Sequence, residues 1–366
     1  MDTVSTFSWL HISDLHAGMK DASHLWPQIR TQILKDLRRH LVEHGAIDLV
    51  VFSGDLTQMA KDEEFAAVLS DLREFWAVFS EYEICPKLVV VPGNHDLTRP
   101  AADCSLLMAV ENFRKRSSVR DSLIKDDGSE YRKELNAAFS NYEDFIIDLE
   151  NSEIPLATTS RGIFPGDCAG VMEVNGLRVG IVGLSSAWSH LEQGDFKGKL
   201  EFSDLQVSAA VGGDIEKWSY ANNFNLLVTH HPKDWLNQDA LKDFKNEVSP
   251  LGRFDAHLFG HMHELSTRSY GFGGQQVTRE YQAASLFGSE RDSNGTITRR
   301  HGFSIAKIDA ERGYLSVWPR KADLISAGGW RVNIDFVELP DGGDVAESPI
   351  KLRELAFSSK KKTFRV

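Results

Sequence analysis

The stretch Trp9-Leu10-His11-Ile12-Ser13-Asp14-Leu15-His16 runs from apolar residues straight into a carboxylate and an imidazole two positions apart. Phe7–Ile12 reads as a short buried strand, and the switch to polar residues at Ser13 marks its carboxyl end. The same transition recurs downstream. Asp48–Phe52 and Lys87–Val91 are apolar, valine-rich runs followed by Gly54-Asp55 and by Gly93-Asn94-His95-Asp96. Between them lie two amphipathic helices. His24–His44 places Leu25, Ile29, Ile33, Leu37 and Leu41 at four-residue steps, and Asp62–Phe79 places Phe65, Val68, Leu69, Leu72, Trp76 and Phe79 on one face. Strands alternating with helices of this length predict right-handed β-α-β units and a mostly parallel sheet.

Further along the chain the pattern changes. Residues 101–152 are rich in charge and helix formers, with a polar stretch over Arg114–Glu130 and a helix expected over Tyr131–Glu150. They read as a helical insertion between core strands. Gly170–Val174 and Leu177–Leu184 form a hairpin about Asn175-Gly176, a pair suited to a turn that needs positive φ at both positions. Asn223–Thr229 and Asp255–Phe259 are further buried strands. From Gln275 the pattern is β-rich, with strands over Val277–Ala284, Gly302–Asp309 and Tyr314–Pro319. Trp330–Asn333 fits an edge strand closing a second sheet or a dimer contact, and Lys360–Lys362 is a solvated terminus or a basic patch.

Two of these strands also end in polar clusters, His230-His231 and Gly260-His261-Met262-His263. With the first three, that makes five clusters at strand ends. In an open α/β sheet, ligands gather beyond the carboxyl ends of the strands, so the five converge on one edge. Each cluster alone is explicable as a turn, a helix cap or a satisfied surface pair. Together they assemble carboxylate, amide and imidazole groups, the donor set of Mn, Fe and Zn. Two metals about 3.5–4 Å apart need a shared carboxylate against their mutual repulsion, and Asp55, alone after its glycine, is the natural bridge. Gly54, Gly93 and Gly260 would let the backbone turn sharply and come close to the metals.

The series Asp14-Leu15-His16, Gly54-Asp55-Leu56-Thr57, Gly93-Asn94-His95-Asp96, Thr229-His230-His231-Pro232 and Gly260-His261-Met262-His263 resembles the calcineurin-like metallophosphoesterase superfamily over about residues 5–310. The resemblance implies an α/β fold, a four-layer α/β/β/α sandwich of two mixed sheets flanked by helices. The domain would span 1–320, carrying the helical insertion, with 321–366 as an extension. It implies two divalent metal ions, Mn foremost and Fe or Zn as alternatives. Asp14, His16, Asp55 and His263 would hold one, and Asp55, Asn94, His230 and His261 the other. A bridging hydroxide would then attack phosphorus. His95 would act as general acid or electrostatic stabiliser, with Asp96 hydrogen-bonding and orienting its ring. His231 would lie near the substrate. The remaining histidines read as structural: His11 inside a strand, and His24, His40, His44 and His257 on helix surfaces or strand ends. Gly183-Leu184-Ser185-Ser186 lines the pocket or is a plain turn.

The substrate is less legible. A phosphodiester of nucleotide type, such as a cyclic nucleotide, fits the Thr57 form of the second motif. A DNA or RNA nuclease and a nucleotide-binding sensor without turnover are the alternatives, and a phosphomonoesterase ranks last because the third motif ends in Asp96. Related bacterial domains are often fused to signalling or defence modules, so a homo-oligomer or a partner protein of that kind is expected. The chain carries 41 basic and 53 acidic residues, net −12, which weighs against non-specific nucleic-acid binding. Three cysteines, Cys85, Cys104 and Cys168, form no CxxC pair and favour a reduced, cytoplasmic setting. No signal peptide or membrane span is expected.

Overall fold

The computed structural model describes residues 5–20, 22–262, 266–270, 277–291, 297–326, 328–339 and 342–355. Its first third follows the alternation above: β1 (Thr6–Ile12), α1 (Ala22–His44), β2 (Leu49–Phe52), α2 (Asp62–Ser80) and β3 (Lys87–Val90). The insertion holds α3 (Ser105–Glu111), α4 (Ser117–Lys125), α5 (Glu130–Ala138) and α6 (Ser140–Glu150). The polar stretch thus contains a helix, and the single helix expected over 131–150 is broken at Phe139. There follow β4 (Ser160–Arg161), β5 (Cys168–Val174), β6 (Leu177–Gly183), α7 (Asp204–Ala210), α8 (Ile215–Tyr220), β7 (Phe224–Val228), α9 (Gln238–Asp243) and β8 (Ala256–Phe259). The chain then becomes all-β: β9 (Ser266–Tyr270), β10 (Thr278–Gln282), β11 (Gly288–Arg291), β12 (Ile297–Arg300), β13 (Gly302–Asp309), β14 (Tyr314–Leu324), β15 (Trp330–Ile334) and β16 (Ala346–Pro349). Asn175 and Gly176 both have positive φ, 49° and 79°, as the hairpin turn between β5 and β6 requires.

Two mixed sheets result. The first runs β15-β14-β13-β1-β2-β3, with β16 also on β14; the second runs β4-β5-β6-β7-β8-β10-β9. In the first, β1, β2 and β3 are parallel and β13 is antiparallel to β1. In the second, β6, β7, β8 and β10 are parallel. The period-two alternation of side chains then separates three apolar layers. Phe7, Trp9, Leu49, Val51 and Val89 meet Val179, Ile181, Leu226, Val228 and Leu258 between the sheets. Leu10, Ile12, Val50, Phe52, Leu88 and Val90 point the other way, against α1, α2 and the insertion. Val182 and Leu227 face out from the second sheet onto Val207, Ala210, Ala240 and Phe244. This is the four-layer α/β/β/α sandwich. The central strands are buried on both faces, which is why they read as unbroken apolar runs.

The chain beyond residue 320 is hydrogen-bonded into the first sheet: β14 runs across that point, and β15 and β16 both pair with it. The Trp330 segment is an edge strand, but of the first sheet rather than the second. Two histidines expected on surfaces are core residues. His40 packs against Trp318 beneath the first sheet, and His257 lies within β8 with its Nε2 bonded to Thr229 Oγ1 at 2.9 Å. His11 is buried in β1, with Nε2 bonded to Ser53 Oγ at 2.9 Å and Nδ1 without a partner among the described residues. Lys360–Lys362 lies outside the described residues. No described helix is long and apolar enough to cross a membrane.

Candidate metal centre

Strands β1, β2 and β3 of one sheet and β7 and β8 of the other end at the same edge of the sandwich, and the five motifs follow them. Backbone bonds carry the parallel pairing into the loops: Asp14 N donates to Gly54 O at 2.9 Å and His16 N to Asp55 O at 3.1 Å. The two sheets are tied together there as well. The backbone N–H of His261 donates to the Asp14 carboxylate at 3.1–3.2 Å, and His230 Nδ1 donates to Ser53 O at 2.8 Å.

The local backbone is unusual. Asp14, His16, Asp55 and His261 all have left-handed φ, at 55°, 49°, 52° and 71°. That conformation costs a non-glycine residue roughly 1–2 kcal/mol. Concentrating it on four expected ligands marks a site where side-chain placement outweighs backbone preference. Of the three motif glycines, only Gly54 has positive φ. Gly93 and Gly260 are required for closeness instead: a methyl at Gly93 would overlap the Asp55 carboxylate, and one at Gly260 the Ser13 hydroxyl.

The side chains converge. Three groups have donor atoms within 4.8 Å of one another: Asp14, Asp55 and His230; His16, Asp55 and His95; and His230, His231 and His261. Asp55 Oδ2 lies 3.2 Å from His230 Nε2 and 3.9 Å from His16 Nε2, and His261 Nδ1 is 3.2 Å from His230 Nε2. Five of the seven expected ligands therefore meet. A sixth, Asn94, is buried with an Oδ1 that has no partner among the described residues. A buried amide oxygen without a partner, in the residue next to His95, suits a divalent cation. The seventh, His263, lies outside the described residues.

The family model described as calcineurin-like phosphoesterase matches residues 7–265, most of the chain. This chain belongs to the calcineurin-like phosphoesterase family. Membership carries hydrolysis of phosphoric esters at a binuclear divalent metal centre, and the Asp and His groups above fit such a centre. Among solved structures, the chain is similar to a purple acid phosphatase from yellow lupin (Lupinus luteus) seeds, at 11% identity and TM-score 0.49, over 95% of this chain and 54% of that one. It is similar to Chaetomium thermophilum Vps29, at 12% identity and TM-score 0.34, over 94% of this chain and 97% of that one. No curated protein matches the sequence.

The metallophosphoesterase site departs from expectation at one point. Asp96 does not hold His95. Its carboxylate accepts the backbone N–H groups of Gly93 at 2.8 Å, Leu56 at 3.1 Å and Thr57 at 2.8 Å, and the Thr57 hydroxyl at 2.9 Å. Burial and Asp55 push its carboxyl up to about 6, while those N–H groups favour the ionised form. Asp96 thus pins the second motif loop to the third. His95 is oriented instead by Nδ1 donating to Gln58 O at 2.9 Å, and its backbone N–H donates to Asp55 Oδ1 at 2.9 Å.

Other residues lay beyond the motifs. His231 Nδ1 meets Ser186 Oγ at 2.9 Å, and its Nε2 meets His190 Nδ1 at 3.0 Å. His190, in the loop after β6, and the half-buried Trp235, whose ring lies edge-on to His261 at 4.0 Å, complete this wall. A histidine and a tryptophan shortly after two strand ends were the available signal, but neither stands in a motif.

Electrostatics prepare the centre for cations. Burial lowers His261 to about 3, helped by His230, so it is neutral. Burial also disfavours a charge on His230, but Asp55 outweighs it and raises His230 to about 9. A metal at His230 must displace that proton. Loading at pH 7 should therefore release about one proton, and affinity should rise with pH toward about 9. The metal-free fold has the opposite dependence: the stabilisation from His230⁺ is complete below pH 6.5 and is lost as pH rises through about 9. Calorimetric titration with Mn in two buffers of different ionisation heat measures the proton count. Uptake without proton release would remove His230 from the ligand set.

Proposed function

We propose that this metallophosphoesterase hydrolyses phosphodiester bonds in a nucleotide-type substrate, with Mn as its working metal. The observation that carries the reading is Trp235. Its half-buried indole borders His261 of the ligand set and His231 of the wall, where the base of a small nucleotide can stack while the phosphodiester sits over the carboxylates. The mixed carboxylate, amide and imidazole set suits Mn. Bound metals supply an activated water and neutralise charge on phosphorus.

The chain's own residues do the rest. Asp14, Asp55, Asn94, His16, His230 and His261 would hold the metals, together with His263 as the family resemblance implies. Asp55 also fixes the third motif by accepting the His95 N–H. With Nδ1–H bonded to Gln58 O, His95 Nε2 is the nitrogen that can carry a proton to the departing alkoxide.

Parallel incubation of Mn-loaded protein with bis-p-nitrophenyl phosphate, 3′,5′-cyclic AMP, plasmid and single-stranded DNA tests the reading. Cleavage of the first two is expected. Preferential cleavage of DNA would make the protein a nuclease, and absence of turnover with metals bound would make it a nucleotide-binding module.

A further inference from the structure

The first sheet has one covered edge and one open edge. At β3, Leu88 is bridged by Leu156, and its N–H donates to Pro155 O at 2.7 Å. At the other end, β15 pairs with β14 on one side only. The alternation of an antiparallel ladder fixes which backbone groups face outward. Asp335 N donates to Pro319 O and Ile325 N to Gly329 O, both in the register of the β14–β15 ladder. Arg331 and Asn333 therefore exchange their bonds with β14. The N–H and C=O groups of Trp330, Val332 and Ile334 point away from it, with no backbone partner among the described residues.

Four large apolar side chains flank this edge in the open. Leu324 and Ile325 precede β15 at 66% and 39% exposure, and Phe336 and Val337 follow it at 55% and 82%. Soluble proteins blunt a free edge with bulges, prolines or charges. β15 has no proline, and its one charge is Arg331. Asp335 follows the strand on the same face, so the two opposite charges stand two residues either side of Asn333. Neither makes an ion pair among the described residues.

We propose that β15 pairs with β15 of a second copy of this chain, antiparallel about a two-fold axis at Asn333. In that register Val332 and the partner's Ile334 exchange backbone bonds, and symmetry repeats the pair, giving four new N–H···O bonds. Arg331 stands directly opposite the partner's Asp335, at a position without backbone bonds, where facing side chains come closest. Leu324 and Trp330 meet the partner's Phe336 and Val337, so the exposed apolar groups at the two ends of the strand cover one another. An axis at Val332 would instead set Arg331 against the partner's Asn333 and leave Asp335 unmatched. The contact uses the same surface on both copies and closes at two.

Sedimentation velocity of the full chain at tens of micromolar tests the proposal, with metal content reporting an intact fold. Wild type should be a dimer. Arg331→Asp places like charges opposite each other at two symmetric points and should weaken the dimer by about tenfold or more. Adding Asp335→Arg to that variant reverses both charges and should restore it. Ile334→Pro removes an outward N–H without touching the β14 ladder and should abolish the dimer; should it fail to fold, the charge variants at the surface carry the test. A monomeric wild type would overturn the proposal and leave the edge to a strand from another protein. So would a dimer whose affinity stays within twofold of wild type in Arg331→Asp, or a double variant no tighter than Arg331→Asp alone.

Discussion

Asp55→Asn should strip the protein of bound metal and of turnover together, with activity falling by about a thousandfold or more. Asparagine is the informative replacement because it keeps the shape and tolerates the left-handed φ of 52° at this position. It can still accept the His95 N–H through its amide oxygen. What it removes is the negative charge, and that charge serves two of the three donor groups at once. Asp55 is 1% exposed, so neither water nor a neighbouring side chain can replace it. Burial alone would push its carboxyl up, yet His230, His95 and His16 hold it well below the usual carboxylate range. The same coupling gives a readout that needs no metal. Without Asp55, the imidazole of His230 loses the interaction that raised it to about 9, and burial should carry it below 6.5. NMR titration of the metal-free variant would follow this, and mass spectrometry of the metals would follow loading. Full metal content with lost turnover would mean that Asp55 is not the shared ligand.

Much of this was legible in the sequence because the fold and the site share one cause. Strands buried on both faces read as apolar runs, and their carboxyl ends read as the point where polarity returns. Asp14, Asp55, Asn94, His230 and His261 sit at those points. The alternation of helix and strand through residue 100 was equally plain. What escaped detection depends on tertiary packing. At Phe139 the backbone leaves the helical range, at φ −102° and ψ 12°, a break that helical periodicity does not reveal. His40 reads as a surface histidine until Trp318, far away in sequence, is seen to cover it. His190 and Trp235 reach the site from loops with no motif. The Asp96 assignment failed for a further reason. Adjacent residues on a tight loop point in different directions, so a neighbour in sequence was not a neighbour at the imidazole.

That correction sharpens what His95→Ala should show. If Asp96 oriented the ring, losing the ring would free a buried carboxylate and loosen the loops. Here Asp96 keeps its four donors regardless, and the His95 contact to Asp55 is made by the backbone N–H, which alanine retains. The variant should therefore keep its fold and its metals while turnover falls by about 10²–10⁴-fold. His95 nevertheless stands with His16 and Asp55 in one donor group, so a ligand role is the physical competitor. Metal stoichiometry separates the two: a general acid leaves it unchanged, whereas a ligand takes one metal with it. The substrate adds a second axis. p-Nitrophenolate departs readily without a proton, and the alkoxide of a cyclic nucleotide does not. Proton donation from Nε2 therefore predicts a much larger loss on 3′,5′-cyclic AMP than on bis-p-nitrophenyl phosphate. Equal losses on both would assign His95 to charge stabilisation at phosphorus instead, because that role acts on the phosphoryl group common to the two substrates.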